Sequence, residues 1–336
     1  MPVYDKPMIC PHILAFDEKF DLHINAFLAA QGNHLFNDPA YFRLHSRSEQ
    51  DCYAQLVRRN DQRVFATLAF HTTDKGVFVS PGRGTYGGLS LNAEIELQVL
   101  DRFVAAVVAH LRAQDARSMR VRCAPASHDG ALLAMSVNIF SRLGFQPREA
   151  ELNNDMRIDG RAFIDRTDYG NAKRIRKTER KGFVCDQLDE QALPAVHALL
   201  AENRARLGLT ISMSQEQVHQ MSVLFPQRLH LFAVYRDDSR QEMVAAALCL
   251  ALSPQVLYVL YWGDGPDMHS YSPVAMLASH IYAFCAREGF AVLDVGISTL
   301  HEEPNFGLVN FKRNLGFTES LKLEMVWHGG PDIKEI

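Results

Sequence analysis

The stretch GVFVSPGRGTYGGL, residues 76–89, has glycines at a spacing that could bind a dinucleotide. Its glycines match the G-x-G-x-x-G pattern of sites in which the loop runs straight into a helix whose N-terminal amides hold a pyrophosphate. Here four residues separate the last glycine of the pattern from Asn92, the predicted N-cap of the next helix. Glu94 and Glu96 would lie in its first turn, where carboxylates repel a phosphate. We therefore expect no dinucleotide site here.

Composition and charge exclude several other classes of protein. The chain has 336 residues, enough for two domains of ordinary size. Its net charge of −4 argues against a general nucleic-acid binder, since such proteins are usually basic. Charges interrupt the apolar runs near the N-terminus, so we expect no signal peptide. The longest apolar run, 243–252, is too short to span a membrane.

The cysteines and histidines indicate neither disulfides nor a metal. The six cysteines form no C-x-x-C pair, which is typical of reduced thiols in a cytoplasmic protein. His-Glu-Glu at 301–303 is not the H-E-x-x-H zinc motif, and no other residues have metal-ligand spacing. We therefore expect a cytoplasmic protein without a metal.

A repeat predicts the organisation of the chain. SVNIFSRLGF (136–145) and LVNFKRNLGF (308–317) share Val-Asn, four intervening residues and Leu-Gly-Phe, at an offset of 172 residues. Each follows a long amphipathic segment and an apolar strand, and each leads into another strand-like stretch. We therefore predict two copies of one unit, 1–160 and 183–336, joined by a basic linker helix within 161–182.

The elements that would position a site are similar in the two halves. In the first half, helical segments over 18–58 precede two strands, a helix over 93–114 and a further strand. In the second half, two helices and three strands precede a helix over 273–288, which Ser272 can cap and Gly289 ends. This order predicts an α/β fold in which each unit has a mixed, mainly antiparallel sheet with helices on both faces.

The short helix that ends in Leu-Gly-Phe after an apolar strand resembles the last helix and strand of GNAT-type acyltransferases. Two such units in tandem resemble the FemAB-like branch of that superfamily. The residues that carry the resemblance are YGG (86–88), NAKRIRKTERKGF (171–183), LDVG (293–296) and NFGLVNFKRNLGF (305–317). The resemblance covers nearly the whole chain. It implies an enzyme that moves an acyl group from acyl-CoA, such as acetyl-CoA, to an amine of a small-molecule acceptor in an inter-domain cleft.

Two departures from the family leave the donor open. The acyl-CoA loop of ordinary GNAT enzymes, Arg/Gln-x-x-Gly-x-Gly/Ala, is absent from both halves, and the second half has GDGPDMHSYSP (263–273) in its place. The long helical hairpin of FemAB-type enzymes that use aminoacyl-tRNA is not evident either. One alternative is therefore an aminoacyl-tRNA-dependent amino-acid transferase, with tRNA as a partner. Another is a non-catalytic binding protein on the same scaffold.

The donor site is expected in the second half. The helix that starts at Pro273 has no acid in its first turn, so its amides and dipole can accept an anion. A stripe of basic residues in the run 173–181 is either a solvated helix face or a phosphate contact. The residues assigned to the donor are His269, Ser270, Tyr271, Ser272 and Arg176.

Acyl transfer to an amine requires removal of a proton, stabilisation of the carbonyl oxygen and protonation of the leaving group. Among residues that follow strands of the second half, Glu302 or Glu303 could be the base and Asn305 a polarising group. Lys312 lies at the edge of the apolar face of its helix, where it could snorkel to water. The resemblance instead implies that Lys312 stabilises negative charge, whereas its counterpart in the first half is Phe140. The residues expected to line the substrate are Tyr86, Gly87, Tyr261, Trp262 and Asp264.

Overall fold

The computed structural model describes residues 10–30, 34–268 and 270–329. Internal contacts divide the chain into two compact units. Unit 1 contains the chain up to Glu151 and the residues from Leu321 onward, and unit 2 contains Leu152–Ser320. The basic helix of the run 173–181 lies within unit 2. That residues 1–160 and 183–336 are copies of one unit, joined by a linker helix, stays a prediction.

Unit 1 is built around a mixed sheet. Its elements are β1 (His12–Ala15), β2 (Phe20–Ile24), α1 (Pro39–His45), β3 (Cys52–Arg58), β4 (Val64–Asp74), β5 (Val77–Ser80), β6 (Leu89–Leu91), α2 (Leu97–Arg112), β7 (Ser118–Arg122), α3 (Gly130–Arg142) and the start of β8 (Gln146–Arg157). The strand order is β1-β2-β3-β4-β5-β7, with β6 paired to β4. Strands β5 and β7 are parallel, and the other pairs in this order are antiparallel.

Helix α2 covers one face of this sheet. Leu100, Phe103, Val104 and Val107 recur at helical spacing and are completely buried, so they form one apolar stripe. They share a core with alternate residues of β3 and β4, as expected for side chains on one face of a sheet. Helix α1 lies on a separate cluster in which its Phe42 packs with Tyr53 and Ala69. Helices therefore cover unit 1 from two sides.

Unit 2 repeats this kind of architecture. After the end of β8, its elements are α4 (Tyr169–Arg180), β9 (Val184–Leu188), α5 (Leu193–Arg206), α6 (Gln215–Leu224), β10 (Leu229–Tyr235), β11 (Met243–Ser253), β12 (Val256–Asp264), α7 (Pro273–Glu288), β13 (Val292–Ile297), β14 (Thr299–Leu300), β15 (Glu303–Pro304), α8 (Phe306–Asn314) and the start of β16 (Thr318–His328). The strand order is β8-β13-β12-β11-β10-β9, in which β12 and β13 are parallel. The α/β fold class, with mixed sheets and helices, is confirmed.

Helix α7 carries the main core of unit 2. Its buried residues pack with Ala245, Ala247 and Cys249 of β11, which alternate along the strand and therefore face the same side. Pro273 at its start and Gly289 at its end, with a φ of 81°, match the predicted bounds. Ser272 makes no side-chain cap, so that part of the prediction is wrong: its left-handed φ of 51° turns the chain differently from a capping residue.

Two predicted features of the first half are wrong. The helical segments over 18–58 include the strands β2 and β3, and the α-helix among them, α1, has seven residues. Strand pairing explains the difference, because β2 and β3 form an antiparallel ladder over Phe20–Ile24. The other wrong feature is the N-cap of α2. Asn92 N donates to Phe65 O in the sheet, so the helix begins at Leu97 and has no acid in its first turn.

The glycine loop of residues 82–87 differs in geometry from a dinucleotide-binding loop. It joins β5 to β6, so it leads into a strand and not into a helix. A Cβ on Gly84 would lie 2.7 Å from the ring of Phe36, and the φ of Gly84 is 105°. The glycine is therefore required for a tight turn against an aromatic ring.

Candidate active site

Lys312 is a buried charge-bearing residue of unit 2. It lies on α8 and is 2% exposed. Its Nζ donates hydrogen bonds to the carbonyl oxygens of Gly296 and Ile297, both at 2.9 Å. Because these partners lie inside the unit, Lys312 does not snorkel to water, and that alternative from the sequence is wrong. Asn305 fixes the start of the helix, since its side chain accepts from Leu308 N at 3.0 Å.

The first-half counterpart of Lys312 is an apolar core residue. Phe140 is completely buried in the core of unit 1. The two positions have the same local geometry: Phe145 N donates to Phe140 O at 3.0 Å, and Phe317 N donates to Lys312 O at 3.1 Å. A phenylalanine there contributes apolar burial, whereas a lysine there must be desolvated. Retaining an ionisable group in such a place is typical of a functional site.

A turn at the end of β13 presents the carbonyl oxygens that accept from Lys312. Gly296 has a φ of 75°, and a Cβ there would lie 3.3 Å from the hydroxyl of Tyr258. Asp294 accepts from Gly296 N at 2.7 Å and from the side-chain amide of Asn153 at 3.1 Å. These bonds hold the turn in which the carbonyls of Gly296 and Ile297 meet Lys312. Asp294 belongs to the LDVG motif of the resemblance, but neither Asp294 nor Tyr258 was predicted as a site residue, because the contact of this turn with Lys312 is tertiary.

Burial lowers the pKa of Lys312 to about 7. The negative charge of Asp294 opposes this change, and the positive charge of Arg204 adds to it. Since an ordinary lysine has a pKa near 10.5, Lys312 is unusual in being able to gain and lose a proton at neutral pH. Such a group can serve as a general base and then as a general acid.

Arg204 is a second cation of this cluster, and the sequence gave no motif for it. It lies near the end of α5, is half-buried, and places its guanidinium 5.7 Å from the centre of the Tyr261 ring. Among the described residues, its guanidinium has neither a carboxylate partner nor a hydrogen-bond acceptor. Its five N–H donors are therefore available for an anionic group.

The predicted substrate residues of β12 have different surroundings. Tyr261 joins the Arg204 cluster, and its hydroxyl contacts the Ser212 hydroxyl and accepts from Met213 N at 3.1 Å. Trp262 packs edge-on against aromatic rings of the α8 region, so its visible role is packing. Asp264 contacts the end of α5, where its carbonyl oxygen accepts a hydrogen bond from Asn203 Nδ2 at 2.9 Å. A substrate contact of any of the three stays a prediction.

The predicted acids lie on a hairpin before α8. His301 and Glu302 have φ values of 50° and 65° and form the turn between β14 and β15. Glu302 and Glu303 are exposed, in contrast to the buried Lys312. Asn305, the predicted polarising group, uses its side-chain oxygen to cap α8. Catalytic roles for these three stay predictions, and the structure shows a positioning role for Asn305.

The predicted donor residues lie ahead of α7. His269 lies outside the described residues. Ser270 O accepts from Lys177 Nζ at 3.2 Å, and Tyr271 O accepts from Thr178 Oγ1 at 2.8 Å. Helix α4 thus fixes the loop that leads into α7. Ser272 follows in that loop, and Arg176 is exposed on α4 with its carbonyl oxygen bound by Arg180 Nε.

The first turn of α7 has no acidic residue, as predicted, but the first turn of α2 has none either, so this property does not distinguish the second half from the first. Pro273 occupies the first turn, which has no acidic residue. Val274 is half-buried there, whereas Ala275 is completely buried. Since a 16-residue helix has a positive N-terminal end, an anion would be favoured next to this turn.

Tyr86 and Gly87, the remaining predicted substrate residues, belong to unit 1. Tyr86 is 4% exposed, and its hydroxyl lies 3.0 Å from Nδ1 of His128. Its ring lies 4.1 Å from the ring of His34. Gly87 N donates to Arg122 O, and a Cβ at Gly87 would lie 2.7 Å from Pro81 N. Tyr86 thus has a polar hydroxyl group on a ring that packs against other rings, and Gly87 permits a close approach of the backbone.

Over the ranges that the structure describes, no group of three or more His, Cys, Asp or Glu side chains could hold a metal ion. No helix in those same ranges combines the length and the apolar character needed to cross a bilayer.

Comparisons with known proteins agree with this architecture. A family model for an acetyltransferase (GNAT) domain matches residues 167–313. FemX has a similar structure, with a TM-score of 0.65 and 13% identity, over 91% of this chain and 95% of that chain. L-PGS from Bacillus licheniformis has a TM-score of 0.57 and 10% identity, over 90% of this chain and 89% of that chain. No curated protein matches the sequence. The FemAB-like GNAT fold predicted from the sequence is therefore confirmed.

Proposed function

We propose that this chain, with its FemAB-like GNAT acyltransferase fold, is an N-acyltransferase that uses acyl-CoA and a small-molecule amine. The observation that carries the proposal is Lys312, a lysine buried where the first half has a phenylalanine, with a pKa lowered to about 7. Burial of such a residue does not stabilise the fold, because a buried charge must be desolvated. Catalysis of proton transfer at neutral pH is a use for which this pKa is suited.

Lys312 is proposed to carry the proton through the reaction. In its neutral form two N–H groups bind the carbonyls of Gly296 and Ile297, which leaves the lone pair of Nζ to accept a proton. The acceptor amine attacks the acyl carbonyl carbon and gives its proton to Nζ, and the C–N bond forms. The resulting ammonium stabilises the oxyanion. When the C–S bond breaks, the proton passes to the departing thiolate, so Lys312 returns to its neutral form.

Arg204 and the start of α7 are proposed to bind the charged parts of the substrates. A half-buried guanidinium without an anionic partner among the described residues suits a carboxylate or phosphate of the acceptor. The acid-free first turn of α7 suits the pyrophosphate of acyl-CoA. The side chains assigned to the donor in the sequence, Ser270, Tyr271, Ser272 and Arg176, remain candidates for this contact.

A second candidate is an aminoacyl-tRNA-dependent amino-acid transferase. The observation that favours it is the absence of the acyl-CoA loop pattern from the segment 263–273. The same proton path through Lys312 would serve it, because an ester oxygen would replace the thiolate as leaving group. A non-catalytic binding protein on the same scaffold is the remaining alternative, and it gives no reason to keep Lys312 buried.

Ligand titration followed by thermal unfolding tests the choice of donor. The whole chain is heated with CoA, with acetyl-CoA and with bulk tRNA, since a ligand of the folded state raises the melting temperature by mass action. The proposal expects a rise with CoA and acetyl-CoA, followed by amine-dependent release of free thiol from acetyl-CoA. A rise with tRNA alone would replace the proposal with the second candidate. Binding of acetyl-CoA without thiol release to any amine of a broad panel would favour the non-catalytic alternative.

A further inference from the structure

We propose that the exposed side of α4 docks an acidic helix of a carrier protein that holds the acyl group as a thioester on a phosphopantetheine arm. This side of α4 carries Tyr169, Lys173, Arg176 and Arg180, which we call the α4 stripe. All four are exposed, and Tyr169 is 80% exposed although it is a large aromatic residue. The inference rests on the proposed acyl transfer, because it concerns the form in which the acyl donor arrives.

The spacing of the stripe is that of one helix packed along another. Its members follow one another at intervals of four, three and four residues, as side chains do along the seam between two helices. At 3.6 residues per turn they lie within about 60° of one another around the helix axis. From Tyr169 to Arg180 the stripe is about 16 Å long, or about three helical turns. A straight, narrow row of this kind suits a partner helix.

The other side of α4 holds the helix in place. Ala172, Ile175 and Thr178 are buried, and α4 packs against α7. Asp168 caps its start by accepting from Asn171 N at 2.6 Å. The stripe is therefore displayed on a folded helix, so a partner can dock without first ordering this segment.

The charge of α4 selects an acidic partner. Within the described residues, no ion pair involves a basic residue of the run 173–181, whereas Arg240 and Arg313 of the same unit pair with carboxylates. The chain has a net charge of −4, so this concentration of positive charge is local to α4. Complementary charges steer the encounter of two proteins and set its specificity. An exposed tyrosine beside arginines also has the composition of an interface hot spot.

The stripe lies next to the loop that is expected to hold the donor. Lys177 Nζ donates to Ser270 O at 3.2 Å, and Thr178 Oγ1 donates to Tyr271 O at 2.8 Å. A carrier docked on α4 would therefore present its arm close to the start of α7. The segment 263–273 lacks the acyl-CoA loop pattern. A carrier does not need that pattern, because its arm has no nucleotide and contacts between the two proteins supply the affinity.

The reaction is the proposed acyl transfer with the thiol of the carrier's arm as leaving group. The amine nitrogen forms a bond to the carbonyl carbon, and the C–S bond to the arm breaks. The amine proton passes through Lys312 to the thiolate, so the carrier departs with a free thiol. Acetyl-CoA contains the same arm and can therefore serve as a donor without the contact to α4.

Fluorescence anisotropy with a labelled, acetylated acyl carrier protein tests the docking on the whole chain. Lys173→Glu and Arg180→Glu should each raise the Kd for the carrier at least about tenfold, because a like charge replaces an opposite one. Tyr169→Ala should raise the Kd at least about fivefold, whereas Tyr169→Phe should keep the wild-type value, since the ring is the anchor. Binding by the wild type should weaken as salt rises from about 50 to about 300 mM.

Acetyl transfer to a panel of amines, from the carrier and from acetyl-CoA, tests the consequence of docking. With the carrier as donor, Lys173→Glu and Arg180→Glu should lower the rate at limiting carrier concentration by the same factor as the affinity. With acetyl-CoA as donor, both variants should transfer at the wild-type rate. The matched control is Arg148→Glu, which reverses an exposed arginine of unit 1 and should behave as the wild type with both donors.

The docking is overturned if the wild type does not bind the carrier, or if Arg148→Glu loses as much affinity as the stripe variants. It is also overturned if an eight-nucleotide RNA, and not the carrier, binds in a way that depends on the stripe. Transfer from acetyl-CoA without binding of the carrier would overturn the docking and leave the proposed function intact. Stripe-dependent binding of the carrier without transfer from either donor would support the docking and contradict the proposed function.

Discussion

Replacement of Lys312 by methionine should change how the stability of the protein depends on pH. Burial lowers the pKa of Lys312 from 10.5 to about 7, so between these values the unfolded chain binds more protons than the folded chain. Stability therefore rises with pH through this window and is lost as pH falls towards 7. The whole shift in pKa corresponds to ~5 kcal/mol of unfolding free energy. The part of this free energy that the protein regains between pH 6 and pH 9 is about 2–3 kcal/mol.

The assay is urea unfolding of the wild type and Lys312→Met at several values between pH 6 and pH 9. Methionine keeps most of the stem but has no charge, and it leaves the carbonyls of Gly296 and Ile297 without Nζ, which costs about 1–3 kcal/mol each if they stay dry. That cost is the same at every pH. The free energy of unfolding of the wild type minus that of the variant should therefore rise by about 2–3 kcal/mol from pH 6 to pH 9.

A matched control is Lys173→Met on the exposed side of α4, for which the difference should be flat. A flat difference for Lys312→Met as well would refute the reasoning, because it would mean that Lys312 titrates like an exposed lysine. A difference that decreases as pH rises would also refute the reasoning, because it would mean that folding raises the pKa of Lys312.

Variants at three further positions test other parts of the site. Val274→Glu should weaken donor binding and Val274→Gln should not, as measured by titration, because only the former puts a negative charge in the first turn of α7. Arg204→Gln should raise the KM of an anionic acceptor and move the rising limb of kcat/KM to higher pH, since it removes a positive charge that lowers the pKa of Lys312. Gly296→Ala should lose about 1–2 kcal/mol of stability in urea, because its φ of 75° is left-handed.

Local signals in the sequence predicted the second half well. Helix α7 has the predicted bounds, because Pro273, an apolar helical period and Gly289 act over short distances. The first half was harder to predict. Strand β2 does alternate, since Asp21 and His23 separate Phe20, Leu22 and Ile24, and this strand signal was overlooked. Strand β3, with the sequence CYAQLVR, does not alternate. Strand pairing makes these segments extended, and the paired residues of β2 and β3 are distant in sequence.

The candidate site was predicted only in part, because its central contacts are tertiary. Helical periodicity treats the charge of Lys312 as a surface feature, but its two acceptors lie 15 and 16 residues away along the chain. The family resemblance singled out Lys312, and the comparison with Phe140 did so independently of any contact. Arg204 had no such signal, since a single arginine near the end of a helix is ordinary in sequence. Its importance depends on the position of Tyr261 and on the absence of an acidic partner among the described residues.

The most direct test of the account is transfer of labelled acetyl from acetyl-CoA to a panel of amines, by the wild type and by Lys312→Met, between pH 6 and pH 9. The account predicts transfer that depends on the amine, with kcat/KM rising through about pH 7 in the wild type. In the folded variant the rate should be at least about tenfold lower, equivalent to about 1.4 kcal/mol, and should lose that pH dependence. A variant that transfers acetyl at the wild-type rate, with the same pH profile, would contradict the account.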